Sequence, residues 1–416
     1  MPTTKATTLA HTLASTTSST ADLNYAKTLN DTGVTSTEFD KLDGLTATTN
    51  ELNLVDGSVT GPLSHRNMII NGAMQVAQRG PSSTGVTSGG YHKAPDRFTT
   101  GMQNIGTYTI SQSTDAPAGF AKSYKIDCTT ADASPSAQDN FTFETRLEGH
   151  DLQSWKKGTS SALPVTLSFW VKSNKTGNGQ VNLRDLDNSR QCGNTYTISS
   201  ANTWEYKTIT FPADTTGAFG DDNNNSLRVE WWIDSGSNFK SGTIPTAWVN
   251  NSDNQHRNVG GTLNLADSTA NNWYITGVQL ELGSVATPFE HKSYAEELAR
   301  CQRYFISYGL NETGNAVSNA PTTFRTTTAD GSNSISGYQC FADVDLPVRL
   351  RTGDISFTPL ASFNGSGTNL SNVDFAPFVS ATANAQRICI QKGNSNQPMG
   401  TNQTVVGLCF NVSAEL

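Results

Sequence analysis

The chain has 416 residues, room for about two or three domains, and only 15% of them are charged, well below the roughly 25% of ordinary globular chains. Its formal net charge is −8 with no long basic run, which argues against direct nucleic-acid binding, and no apolar stretch is long enough to cross a bilayer. Thr, Ser, Asn and Gly take the place of the missing charges, and these residues favour short strands and turns over long helices, so the expected class is mainly β.

Lys5 has no apolar run behind it, so the N-terminus is not expected to be a secretory signal. Residues 1–34 are rich in Thr, Ser and Ala, with isolated apolar positions at Leu9, Leu13, Leu23, Tyr25 and Leu29. Alone they bury too little apolar surface to offset the entropy of ordering. Either they are disordered, or they order against identical chains or a docking protein. Residues 35–64 hold a short repeat: Thr35 to Gly44 aligns with Thr48 to Gly57. Each unit has two apolar positions (Phe39 and Leu42; Leu52 and Val55) followed by an Asp-Gly turn. Units this small must stack on something to fold. Three chains wound together would bury the apolar positions; a flexible linker is the other reading.

Residues 65–291 read as a large β domain. Val165, Leu167, Phe169 and Val171 alternate with Thr166, Ser168, Trp170 and Lys172. Leu227, Val229, Trp231 and Ile233 alternate with Arg228, Glu230, Trp232 and Asp234, and Phe141, Phe143, Thr145 and Leu147 behave likewise. Such strands, separated by Gly, Asn or Asp breaks, fit a two-sheet sandwich in which each sheet has one wet face. Near the end of the domain, Tyr274, Thr276, Val278, Leu280 and Leu282 are expected on one side of a half-buried strand, with Ile275, Gly277, Gln279 and Glu281 on the other. Gly283 and Pro288 stop that strand. In residues 292–306 the period changes. Ser293 with Glu296 forms a capping box, and Tyr294, Leu298, Cys301 and Phe305 share one face of a short linking helix. That face is expected to pack between two β domains or against a neighbouring chain. Residues 307–416 read as a small C-terminal β domain, with alternation at Tyr338, Cys340, Ala342, Val344 and Leu346 and again at Val406, Leu408, Phe410 and Val412.

No catalytic constellation is visible: the chain has no Gly-x-Ser-x-Gly elbow, no His-Glu-x-x-His and no phosphate loop. No catalytic residue, cofactor or metal is expected, and enzyme activity is not. The run Gly220 to Asn225 spaces Asp221, Asn223 and Asn225 like a calcium loop, but Ser226 and Trp232 stand where glycine and glutamate are required, so it reads as a turn. Six cysteines without a Cys-x-x-Cys are expected to be buried free thiols. The candidate ligand-binding residues are Trp170 and Trp232, on the polar sides of their strands, and Trp248, in a loop between strands. Each can stack on a sugar or anchor a neighbouring subunit. Trp155, Trp204 and Trp273 are expected in cores.

Gly277 to Glu290 reads Gly-Val-Gln-Leu-Glu-x-Gly-x-x-Ala-Thr-Pro-Phe-Glu, and Tyr294 to Tyr304 reads Tyr-x-x-Glu-Leu-x-x-Cys-Gln-Arg-Tyr. With the opening segment Arg66 to Gly80, the runs Ser168 to Ser173 and Trp204 to Lys207, and the Thr48 to Gly57 repeat, this resembles bacteriophage tail-fibre proteins of the marine phage type. Asp96-Arg97-Phe98 departs mildly from the Asp-Arg-Trp usual there. The resemblance implies a homotrimer released by lysis after assembly in the host cytoplasm. Residues 1–34 would anchor it to a tail adaptor or baseplate protein of the virion, and residues 35–64 would form a shaft. Residues 65–291 would be a module similar to carbohydrate-binding jelly rolls, and residues 307–416 a distal tip. Host attachment would run through surface glycans, without nucleic acid or membrane insertion. A head fibre or decoration protein of the same modules, and a polysaccharide-degrading tailspike, are the alternatives.

Overall fold

The computed structural model describes residues 65–251, 254–308, 323–325, 341–345, 347–348, 350–351, 356–364, 375–378, 387–392 and 404–416. The segments read as anchor and shaft, residues 1–34 and 35–64, lie outside the described residues, as do Tyr338, Cys340 and Leu346.

In chain order the strands of the large β region are β1 (Ser82–Val86), β2 (Phe98–Gln103), β3 (Thr107–Ser113), β4 (Ser123–Thr130), β5 (Asn140–Glu148), β6 (Val165–Ser173), β7 (Gly177–Asp185), β8 (Arg190–Ile198), β9 (Glu205–Phe211), β10 (Asn225–Ser235), β11 (Val249–Asn250) and β12 (Asn272–Leu282). They form two six-stranded antiparallel sheets, ordered β1-β3-β4-β12-β6-β9 and β11-β8-β7-β10-β5-β2. The chain passes repeatedly from one sheet to the other, which makes a jelly-roll sandwich of the expected mainly β class. The alternating apolar residues of β5, β6 and β10 meet between the sheets. Phe143 lies 5.4 Å from both Trp231 and Trp273, and Phe169 meets Trp231 edge-on at 5.7 Å. All four rings are fully buried. Edge-to-face aromatic pairs of this kind add about 0.5–1.5 kcal/mol each beyond the area they bury.

Strand β12 departs from the expected alternation. Its pairing with β6 slips between Thr276 and Gln279, and Gly277 sits there at φ 62°. This bulge inserts one residue and reverses the facing of everything after it. Trp273 and Ile275 face the core before it; Val278, Leu280 and Leu282 face the core after it. Nor is the opposite side wet, because Gln279 and Glu281 are buried as completely as the core. The chain folds back over them. The Glu281 carboxylate accepts from the Thr287 N–H at 2.8 Å and the Thr287 hydroxyl at 2.5 Å, and Gln279 Oε1 accepts from the Glu290 N–H at 2.8 Å.

The opening segment closes the same seam. The Met68 N–H donates to the Leu280 carbonyl and the Val278 N–H to the Gly72 carbonyl, both at 3.0 Å. Asn67 Oδ1 accepts from the Leu280 N–H, and Glu290 accepts from the His65 and Asn67 N–H groups. Asn71 ties this turn to the next, donating to the carbonyls of Val76 and Asp96 at 2.9 Å. Asp96 is buried. It accepts from Gln78 Nε2 at 2.7 Å and lies 3.4 Å from Arg79, yet burial dominates and pushes its carboxyl up to about 6. Arg97 is equally buried, stacked 3.4 Å above the Tyr304 ring and paired with Glu415.

Helix α1 (Tyr294–Gln302) begins where the capping box requires, with Ser293 Oγ accepting from the Glu296 N–H at 3.2 Å. Its buried side differs from the one expected. Glu297 and Cys301 face inward, because the Glu297 carboxylate accepts from the Asn71 N–H. That contact turns Tyr294 out, to 56% exposure, and leaves Leu298 half-buried beside the cluster of Ile70, Val76, Cys301 and Tyr304. Phe305 is buried but not helical. It starts β13 (Phe305–Tyr308), which pairs with the last strand, so the helix ends three residues early. The C-terminal strands are β14 (Thr323–Arg325), β15 (Phe341–Asp345), β16 (Ser356–Asn364), β17 (Phe375–Phe378), β18 (Arg387–Lys392) and β19 (Thr404–Ser413). β19 pairs with β13, β14 and β16, and β18 lies between β15 and β17. Cys128, Cys192 and Cys301 are free and buried.

Two outcomes follow from the seam. At Gly277 an added Cβ would meet Phe120 at 2.7 Å in a left-handed backbone. Gly277→Ala is therefore expected to lower unfolding stability by about 1–3 kcal/mol, read from denaturant midpoints. Asp96 holds its proton to higher pH folded than unfolded, where its ordinary value is 3.8. Its contribution is thus fully present below about pH 4 and lost as pH rises through about 6, at most about 3 kcal/mol. Asp96→Asn should remove that dependence, so the melting temperature of the variant gains on the parent between about pH 4 and pH 7.

Candidate functional site

Strand β10 is central in its sheet, and its core side fixes what it presents on the other. Arg228, Glu230 and Trp232 point away from the core, whereas the expected alternation breaks at a bulge after Trp232 that sets Asp234 opposite the core residue Phe141. Register then builds rows across the sheet, because directly paired residues share a face. Arg228 lies opposite Arg184 of β7 and Arg146 of β5. Glu230 lies opposite Asn182 and Glu144, and Trp232 opposite Gln180 and Thr142. A row of three arginines thus adjoins a row with two glutamates, which adjoins a row with one tryptophan.

Residues 254–261 border this face. Gln180 Nε2 donates to the His256 carbonyl at 2.8 Å, Asn182 Nδ2 donates to the Arg257 carbonyl at 2.7 Å, and the Gly260 N–H donates to Gln180 Oε1 at 3.1 Å. These bonds bring the Arg257 guanidinium within electrostatic reach of Arg184, Glu230 and Arg228. Phe239 packs on Trp232 with ring centres 5.1 Å apart. The side expected to be wet is therefore a covered floor: Glu230 is 1% exposed and Trp232 3%.

Few of these groups are fully satisfied. Arg184 Nη1 donates to Glu230 Oε1 at 2.7 Å, and the Thr142 hydroxyl donates to Glu144 Oε1 at 2.6 Å. Arg146 lies 3.4 Å from Glu144 and donates to the Leu416 backbone oxygen. Glu230 Oε2, Trp232 Nε1 and the Nε atoms of Arg146, Arg184, Arg228 and Arg257 are buried without a hydrogen-bond partner among the described residues. Elsewhere the unpartnered buried atoms include single tips of core aromatics such as Tyr108 and Tyr124; here six fall on one face. Burial pushes the Glu230 carboxyl up despite Arg184. Burial and then Arg184 bring Arg257 down to about 10, and burial with Arg146 lowers Arg228. Buried charges with this little compensation are costly in a core, and they mark positions where a ligand can supply the missing partners.

The three sequence-predicted tryptophans do not form one site. Trp232 belongs to the floor just described. Trp170 is on the outer side of the other sheet, 5.3 Å from Tyr206, which is 44% exposed. Trp248 is not a recognition residue on a loop but part of the core. β11 pairs with β8 and folds its loop inward, so Trp248 packs 6.1 Å from Trp155 and donates Nε1 to the Pro212 carbonyl at 2.9 Å. Trp155 and Trp273 are fully buried, while Trp204 is half-buried and donates to Asp115. The run Gly220 to Asn225 is held as a turn, with Asp222 accepting from the Asn224 N–H and His150 bonded to Asp221. Sequence reading missed Arg146, Arg184, Glu144 and Arg257. The alternation of β5 and β7 was the available signal, but nothing local says that those strands flank β10.

No protein-family model matches this chain, and no curated protein matches it. Among solved structures, the enzymatically active domain of tailspike protein 4 from bacteriophage CBA120 aligns over 52% of this chain and 21% of its own, at 13% identity and a TM-score of 0.26. The chain therefore spans about a fifth of that domain. A putative sugar binding protein from Bacteroides thetaiotaomicron aligns over 52% of this chain and 100% of its own, at 15% identity and a TM-score of 0.28. A family 11 carbohydrate-binding module from Clostridium thermocellum aligns over 50% and 98%, at 8% identity and a TM-score of 0.24. Overlap at this level carries neither ligand nor activity across, and the sandwich assignment stands on the strand order given above.

Proposed function

We propose that this chain is a glycan-binding component of a phage virion, a homotrimeric tail fibre that attaches to the bacterial surface and has no catalytic role. The observation that supports binding is the outward side of β10 and the segment bordering it, where Glu230 Oε2, Trp232 Nε1 and four guanidinium Nε atoms are buried and unpartnered among the described residues. A sugar ring offers hydroxyls that both donate and accept, so one ligand can serve carboxylate acceptors and guanidinium donors together. Groups held on paired strands lose little freedom on binding, which favours affinity.

The fibre and the virion rest on the motifs of residues 277–304 and 66–80 and on the repeat of residues 35–57. Trp170 and the exposed Tyr206 lie on the opposite sheet from the candidate face. They suit a contact between protomers, which leaves the β10 side free in each copy. Residues 1–34 would dock to a tail adaptor or baseplate protein. Three copies per fibre and several fibres per virion would turn weak single contacts into firm attachment.

Calorimetry of the full chain against host-envelope oligosaccharides tests the site. Glu230→Gln should weaken binding about tenfold, as loss of a charge-assisted hydrogen bond does. Absence of any glycan binding, or an unaffected variant, would overturn the assignment. Light scattering tests assembly: a mass of three chains is expected, and a monomer with its N-terminus intact would defeat the fibre reading.

A further inference from the structure

The candidate face is unbalanced in charge, and the imbalance bears on which glycan it takes; the argument rests on the glycan-binding reading above. Four guanidinium groups (Arg146, Arg184, Arg228 and Arg257) stand over two carboxylates, Glu144 and Glu230. Arg184 is paired with Glu230 at 2.7 Å, and Arg146 approaches Glu144 at 3.4 Å while donating to the Leu416 oxygen. Among the described residues the Arg257 guanidinium donates only to the Asn251 side-chain oxygen, at 3.3 Å. Arg228 makes no side-chain hydrogen bond or ion pair among the described residues, and its Nε is buried. Among the described residues these two cations thus feel Glu144 and Glu230 only at a distance, with no carboxylate in ion-pair contact.

Register makes the crowding unavoidable. Arg184, Arg228 and Arg146 are directly paired across three adjacent strands, which lie about 5 Å apart. Like charges directly opposite one another are destabilising. Burial together with neighbouring arginines lowers the proton affinity of both Arg228 and Arg257. The arrangement is tolerable unliganded only at a cost, and an anion placed between Arg228 and Arg257 would relieve it.

The chemistry of that anion is restricted. A guanidinium fork matches a planar carboxylate through two parallel N–H···O bonds. One row away stand Glu230, with an unpartnered oxygen, and Glu144. They would repel a second negative charge and accept from neutral hydroxyls. We infer that the face selects an acidic sugar, whose single carboxylate sits on Arg228 and Arg257 while its ring hydroxyls donate to Glu230 and Glu144.

The test uses the full chain and a panel of glucuronate-, galacturonate- and ulosonate-containing oligosaccharides. Each is measured by calorimetry beside its own carboxyl-reduced, neutral form. At least one pair is expected to favour the acidic form by about tenfold, with a preference that shrinks as salt rises. Arg228→Gln, and separately Arg257→Gln in the bordering segment, should bring that ratio close to one, while circular dichroism confirms that each variant folds. Two results overturn the inference and leave the glycan reading standing: reduced forms that bind as well as or better than acidic ones throughout, or a preference that survives in both folded variants. Failure of every oligosaccharide in either form would remove the glycan reading as well.

Discussion

Everything the candidate site presents depends on where the Trp231 ring is held. It is fully buried between Phe143 and Phe169, at 5.4 and 5.7 Å. Side chains alternate along a strand, so a slip of one residue would exchange Trp231 for Trp232 and drive Arg228 and Glu230 into the core. Burying such charges unpaired costs far more than any outward contact returns. The aromatic core and the charged rows outside it are therefore settled by one choice of register, and β5 and β7 follow because they pair with β10 residue for residue from Leu227 to Trp232.

How much of this was legible depends on how local the cause was. The core sides of β6 and β10 could be read directly, because a period of two needs only neighbouring residues. The start of α1 could be read too, since Ser293 and Glu296 make the cap by themselves. Its end could not, because Phe305 is drawn into pairing with Ser413, more than a hundred positions away. Gly277 was visible as a glycine in a strand, but the bulge follows from pairing with β6, and that reversed the expected sides of β12. Trp248 looked like a surface loop residue until contact with Trp155 placed it inside. The arginine row was hidden for the same reason: its members come from three strands whose adjacency no single stretch of sequence reveals.

The molecule keeps its two kinds of polar group apart. Asn67, Asn71, Gln279, Glu281 and Thr287 are deeply placed, Glu290 is half-buried, and all are joined to one another or to backbone. They replace apolar packing along the seam between the opening segment, β12 and the loop after it. Beside β10 the two glutamates are comparably buried and the four arginines half-buried, and these groups are incompletely joined. The first set specifies a closure; the second leaves valences open.

The motifs of residues 66–80 and 277–290 thus supply the residues that lock the seam, and the outward rows of β5, β7 and β10 lie apart from them. Substitutions in the outward rows of β5, β7 and β10 leave that lock intact, so the chemistry on that side of the scaffold can be rewritten while its closure stays as it is.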